Sequence, residues 1–175
     1  MRIFPDCSFI TRTIEMGGLT KSQLNYKLQQ HSISMNEFAE ILIADEKFTA
    51  SNTRCTVKTV ELTVMDLGFP KGATLPEIFG RVSELGLGLC PVELGPYLRL
   101  YYLNQPEGYK GKHIQPGQAP TGSITIASEV IREDDEYPKG FYLRNINGVL
   151  WLRGYVADDL HVWNPEDHFV FLKSF

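Results

Sequence analysis

The residues with the most chemistry to offer lie in one stretch, 84–108, ELGLGLCPVELGPYLRLYYLNQPEG. Its polar members are Glu93, Arg99 and Gln105, placed around a Gly95-Pro96 turn and a Gln105-Pro106-Glu107-Gly108 loop. With the 104–122 loop they could line a small-molecule pocket in which Glu93 acts as a general base. Such a base needs a titratable partner whose environment drives the two pKa values apart, and the stretch supplies none. A Glu–Arg pair that holds the turn is the simpler expectation. The four histidines, His31, His113, His161 and His168, form no HExxH or HxH pair. The densest ligand-like group is Asp158, Asp159, His161, Glu166, Asp167 and His168. Asn164-Pro165 interrupts it with a turn, so these read as solvated loop residues rather than a metal site. GxSxG, the P-loop and GxGxxG are absent, and no cofactor is implied.

A second candidate site comes from a turn. Asn147-Gly148 between two strand-like runs is the signature of a type I′ hairpin. A two-residue turn fixes the register: Ile146 faces Val149, Arg144 faces Trp151, and Tyr142 faces Arg153. Phe141, Leu143, Leu150 and Leu152 then share the core face. The opposite face carries Tyr142, Arg144, Trp151 and Arg153, with Tyr155 just beyond. Arginine beside aromatic rings suits cation–π stacking, and Trp, Tyr and Arg are the residues enriched in binding hot spots. Two plainer outcomes compete: cross-strand pairs on a solvated face, or a face covered by the first helices.

Three capping boxes mark the elements that must position these residues. Thr20 with Gln23 opens a helix over 21–30, with Leu24 and Leu28 on one face. Ser34 with Glu37 opens a second, in which Met35, Phe38, Ala39 and Leu42 follow helical spacing. Thr74 with Glu77 opens a third, with Leu75, Ile78, Val82 and Leu85 inward and Gly86 at its end. Val60, Leu62 and Val64 alternate with Thr59, Glu61 and Thr63 as a half-buried strand. Leu98, Leu100 and Tyr102 also alternate and predict a strand, as do Ile124 and Ile126. Phe169–Leu172 is apolar on both faces, as expected of a strand buried on both sides. The class is α+β: N-terminal helices (region 1–54) packed with a mainly antiparallel β-sheet (region 55–175), expected to form one compact domain.

Composition narrows the partners. The chain has 175 residues, 43% hydrophobic and 22% charged, which is an ordinary globular balance rather than a disordered one. A net charge of −4 disfavours a nucleic-acid binder, and the outward residues of the second helix (Asn36, Glu37, Glu40, Asp45 and Glu46) would be repelled by phosphate. Nucleic-acid binding by the N-terminal helices would therefore rest on Arg12, Lys21 and Lys27. No apolar run approaches the ~20 residues of a membrane span. Three unpaired cysteines, Cys7, Cys55 and Cys90, and an N-terminus without a secretory pattern point to a cytoplasmic chain with reduced thiols. Cys90 reads as a small buried hydrophobe.

The stretches 60–72 (VELTVMDLGFPKG), 84–108 and 135–155 (DEYPKGFYLRNINGVLWLRGY) together resemble a family of small bacterial proteins with an LCPxExGPxLRLxYxxQPxG-type core. The resemblance spans roughly 57–171 and, the family being uncharacterised, does not name a reaction. It points to Glu93, Arg99 and Gln105 as the motif residues with chemistry. The expectation is a cytoplasmic, non-enzymatic binding module of unknown ligand. In the first place it holds a partner protein on the aromatic and arginine face of the hairpin, with a small-molecule ligand as the other partner class. Its binding residues are Tyr142, Arg144, Trp151 and Arg153, with Glu93, Arg99 and Gln105. A small-molecule enzyme near Glu93 is the alternative.

Overall fold

The computed structural model describes residues 9–108 and 119–173; Cys7, His113 and the 109–118 part of the long loop lie outside them. The elements run β1 (Ile10–Met16), α1 (Lys21–Gln30), β2 (Ser34–Met35), α2 (Glu37–Ala44), β3 (Cys55–Thr63), β4 (Ala73–Thr74), α3 (Leu75–Glu84) and β5 (Leu87–Gly88). They continue with α4 (Leu94–Tyr101), β6 (Ile124–Ile126), β7 (Gly140–Ile146), β8 (Val149–Tyr155), β9 (Val162–Trp163) and β10 (His168–Lys173). The main sheet has the order β1-β3-β10-β6-β7-β8-β2, with β5 also paired to β10; β4 and β9 pair separately. Its pairings are antiparallel except β10 with β6 and β2 with β8. This is the α+β architecture expected from the sequence.

Each face of the sheet carries its own core. On one side α1, α2 and α4 bring Leu24, Leu28, Leu42, Leu94 and Leu98 against Ile14, Phe141, Leu143, Leu152 and Val170. On the other, α3 brings Leu75, Ile78 and Val82 against Val60, Leu62, Phe169 and Phe171, with Tyr155 and Trp163 at the margin. Over 59–62 the strand at 55–63 is therefore buried on both faces rather than half-buried as its alternation suggested, while Cys55, Thr56 and Lys58 are exposed. Thr59 and Glu61 are enclosed by the first core's side, and Val60 and Leu62 by the second. β10 sits between β3 and β6, and Phe169, Val170 and Phe171 are all fully buried, as a run apolar on both faces requires.

Local signals hold where a backbone hydrogen bond enforces them. Thr20–Gln23 and Thr74–Glu77 form reciprocal capping boxes, and Gly86 follows α3 with φ +73°. The hairpin has the expected register, and Asn147 and Gly148 both take positive φ (54° and 79°) as a type I′ turn demands.

Three further expectations are corrected. Leu98, Leu100 and Tyr102 belong not to a strand but to α4 and its C-cap. The segment is apolar nearly all round, so alternation and the Leu94, Tyr97, Leu98 helical stripe fit it equally. Tertiary packing decides: a Cβ on Gly95 would stand 2.4 Å from the Phe141 ring, so the helix backbone lies directly on β7. The second helix opens at Asn36, not Ser34. Asn36 Oδ1 accepts from Ala39 N (2.9 Å) and Gly154 N (2.8 Å), while its Nδ2 donates to Gly154 O (3.0 Å). Only an amide both caps α2 and brackets the β8 backbone, and Ser34 is drawn into β2 beside Trp151. Finally, the N-terminal region is not wholly helical, because Ile10–Met16 pairs along β3.

Asn36→Ala removes the cap and both bonds to Gly154 together. It is expected to lower unfolding free energy by about 2 kcal/mol, read from the urea midpoint at unchanged m-value.

Candidate functional site

The end of β3 and the starts of β6 and β10 align, with His168 paired to Thr63 on one side and to Ile124 on the other. A cleft of about 570 Å³ opens at these strand ends, lined among others by Glu61, Tyr102, Gln105, Ser123, Asp167 and His168. Along its wall runs a chain of charge contributed by three adjacent strands. Arg12 Nη1 of β1 donates to Glu61 Oε2 of β3 at 2.7 Å, and Glu61 Oε1 lies 2.9 Å from His168 Nδ1 of β10. Arg12 and Glu61 are 8% and 6% exposed, whereas the His168 side chain is 46% exposed. The Arg12 guanidinium also lies over the Tyr102 ring, 4.6 Å from its centroid.

The electrostatics follow from these contacts. Burial pushes the Glu61 carboxyl up, but the hydrogen bonds from His168 and Arg12 outweigh it and hold the group below the usual carboxylate range. The bond to Glu61 raises His168 against the opposing effect of its own burial. An ionised carboxylate only accepts, so Nδ1 carries the proton and Nε2 is the nitrogen left to the cleft. Neighbouring Asp167 is raised by burial, while its two oxygens accept from Ala119 N (3.0 Å) and Asn164 N (2.9 Å).

Gln105 lines the same cleft, but its amide is committed to the protein. Its Oε1 accepts from Arg99 Nη1 at 2.6 Å, and its Nε2 donates to Gly122 O (3.0 Å) and Leu143 O (3.2 Å). Arg99 is fully buried and also donates to the carbonyls of Trp151 and Tyr102. Burial pushes its pKa down to about 10, which leaves it charged at neutral pH. The two residues thus shape the wall of the cleft. Glu93 stands apart from them. It precedes α4, six residues or about 9 Å of helix from Arg99, and accepts from Ser51 N at 3.0 Å. There it borders a different groove, with Lys47, Cys90 and Glu129. The structure does not bring Glu93, Arg99 and Gln105 into one pocket.

The hairpin face leads to the cleft from the other side of the sheet. Arg153 donates from Nε to the Tyr142 hydroxyl at 2.7 Å, and its guanidinium lies 4.9 Å from the Trp151 ring centroid. The helices α2 and α4 lie on the opposite face, so the first helices do not cover this ladder. Arg144 pairs with Trp151 towards the hairpin tip and is half-buried. At the Tyr142 end a chamber of about 190 Å³ opens, walled by Tyr142, Tyr155, His161 and Trp163. It shares Ala119, Pro120 and Ser123 with the cleft, so the two cavities adjoin. Ser123 is 4% exposed, and its hydroxyl has no hydrogen-bond partner among the described residues; the same holds for Tyr155 Oη and Trp163 Nε1.

Sequence reasoning reached Gln105 and Tyr142 but gave no site role to Glu61, Tyr102 or Ser123, and it placed Arg12 on a nucleic-acid surface, whereas Arg12 is buried against Glu61. Glu61 left one signal: a charge between the apolar Val60 and Leu62 of a strand. His168 and Asp167 had been grouped with metal-ligand types, yet they bond to Glu61 and to backbone amides. Asp158 caps the turn at Leu160 and His161. Among the described residues no group of three or more such side chains is placed to hold a metal.

Glu61→Gln leaves Arg12 buried beside a neutral amide and is expected to cost about 3 kcal/mol or more in denaturant unfolding. The raised His168 contributes stability that is complete below its ordinary value of 6.5 and is lost as pH climbs through the raised one. Glu61, lowered from 4.5, contributes above that value and loses its share as pH falls through the lowered one. The urea midpoint should therefore decline as pH rises above 6.5, and His168→Gln should flatten that decline. A slope unchanged in His168→Gln contradicts the assignment. No protein-family model, curated protein or solved structure matches the chain.

Proposed function

We propose that the protein is a non-enzymatic binding module that holds a small ligand in the aromatic chamber, with the Trp151–Arg153–Tyr142 ladder as its approach. The observation that carries this reading is Ser123. Its buried hydroxyl lacks a partner among the described residues at the wall shared by chamber and cleft, and a group of that kind is satisfied by water or by a ligand. Apolar walls with a few polar groups are the ordinary make-up of a small-molecule site. The hairpin face itself, Tyr142, Arg144, Trp151 and Arg153, has hot-spot composition, and a partner protein laid on it would meet the same chamber.

The chain has two tryptophans, so two indole N–H signals report on the site: Trp163 in the chamber and Trp151 on the ladder. In a screen of aromatic and heterocyclic fragments, binders are expected to shift the Trp163 signal, and Tyr142→Ala should weaken them at least tenfold. A screen in which no fragment moves Trp163 overturns the small-ligand reading.

The Glu61–His168 couple supports a second reading. A carboxylate holding one imidazole nitrogen leaves the other placed as a general base at the cleft. Hydrolysis of an ester, amide or phosphoester probe, abolished in His168→Gln while the fold persists, would favour it. Inactivity across the three probe classes would remove it.

A further inference from the structure

We infer that the chamber and cleft together take a small organic cation, a quaternary ammonium joined by a short chain to a hydroxyl or ether oxygen. This rests on the small-ligand reading and names its chemistry. The first ground is charge. Glu61, Glu166 and Asp167 line the cleft, and among the described residues neither cavity has a Lys or Arg in its lining. The nearby guanidiniums are engaged elsewhere: Arg12 on Glu61 behind the cleft wall, and Arg153 on the Tyr142 hydroxyl and the Trp151 ring. His161 and His168 are the lining groups able to become positive. With Glu61 already paired to Arg12, the acids left to a ligand are Glu166 and Asp167. Among the described residues a phosphate or carboxylate meets them and no fixed cation, while a cation meets a complementary charge.

The second ground is the walls. The Tyr155 and His161 rings each stand at 87° to the Trp163 indole, with centroids 5.5 and 5.1 Å from its own, and Tyr142 lines the chamber with them. Aromatic surfaces set at right angles hold a cation through their π-faces. Quaternary ammonium heads are the ligands that aromatic walls of this kind ordinarily take, and they bring no N–H donors to be satisfied. The third ground is Ser123, placed where chamber meets cleft with its hydroxyl unpartnered among the described residues. It suits an oxygen two or three bonds from the cationic head. The volume agrees: about 190 Å³ equals roughly six waters' share of liquid, enough for such a head.

Choline and its uncharged isostere 3,3-dimethylbutan-1-ol have the same shape and differ in charge, so they test the inference directly. Titrated into the full chain and followed by the Trp163 indole N–H, choline is expected to bind at least tenfold more tightly than the isostere. Tyr142→Leu, at a half-buried position that leaves the packed Trp163 intact, should reduce choline binding about tenfold and change isostere binding little. Equal affinity of the two compounds overturns the cation assignment while leaving the small-ligand reading standing. So does silence towards both in a protein that binds aromatic fragments. Silence towards both compounds and all fragments removes the two readings together.

Discussion

Strand β10 is apolar on both faces and lies at the centre of the sheet, so both layers must be closed by helices or side chains before the chain can hold it. That constraint fixes most of the architecture. α1, α2 and α4 take one face, and α3 takes the other. No position in the middle of β10 is left for a polar group. Polar chemistry is driven to the strand's start, where His168 and Asp167 meet the end of β3 and the start of β6. The cleft lies there because the apolar middle of the sheet has no room for it.

The buried charges are arranged so that none is alone. Arg12 and Glu61 neutralise each other between neighbouring strands, and His168 takes the remaining carboxylate oxygen. Arg99 meets carbonyl oxygens and an amide rather than a carboxylate, so it stays charged through hydrogen bonds alone. Asp45, at the end of α2, gathers Arg132 and the Tyr137 hydroxyl, and this draws the 129–139 segment onto the helix. Burial and the bond to Asp45 push Tyr137 up to about 12, so its hydroxyl remains a donor at any ordinary pH. Pairs of this kind contribute little net stability, yet breaking one is costly. They act mainly to fix which elements neighbour one another.

What could be read from the sequence was what local hydrogen bonds or a two-residue turn enforce. The hairpin register, the caps at Thr20 and Thr74, and the doubly buried C-terminal strand were all visible. Asn36 was not, because Ser34 offers the same capping chemistry. What separates them is that Asn36 also reaches Gly154, 118 positions along the chain. α4 was hidden by its nearly uniform apolarity. The charge chain at the cleft was hidden by distance: Arg12 and His168 lie 49 and 107 positions from Glu61, and only strand pairing brings them together. The chamber has the same origin, since Ser123, Tyr142, Tyr155 and Trp163 come from four separate segments.

The two residues of β2 have a consequence for how anything can approach the hairpin. Without them β8 would end the sheet as a bare edge carrying Trp151 and Leu152, an open template for another chain's backbone. Ser34 and Met35 occupy that template, and Asn36 then satisfies both backbone groups of Gly154 as the chain turns into α2. The edge is closed from Trp151 to Gly154. A visitor to the hairpin cannot add a strand there and must be recognised through side chains alone, which confines selectivity to the rings and guanidiniums of one face.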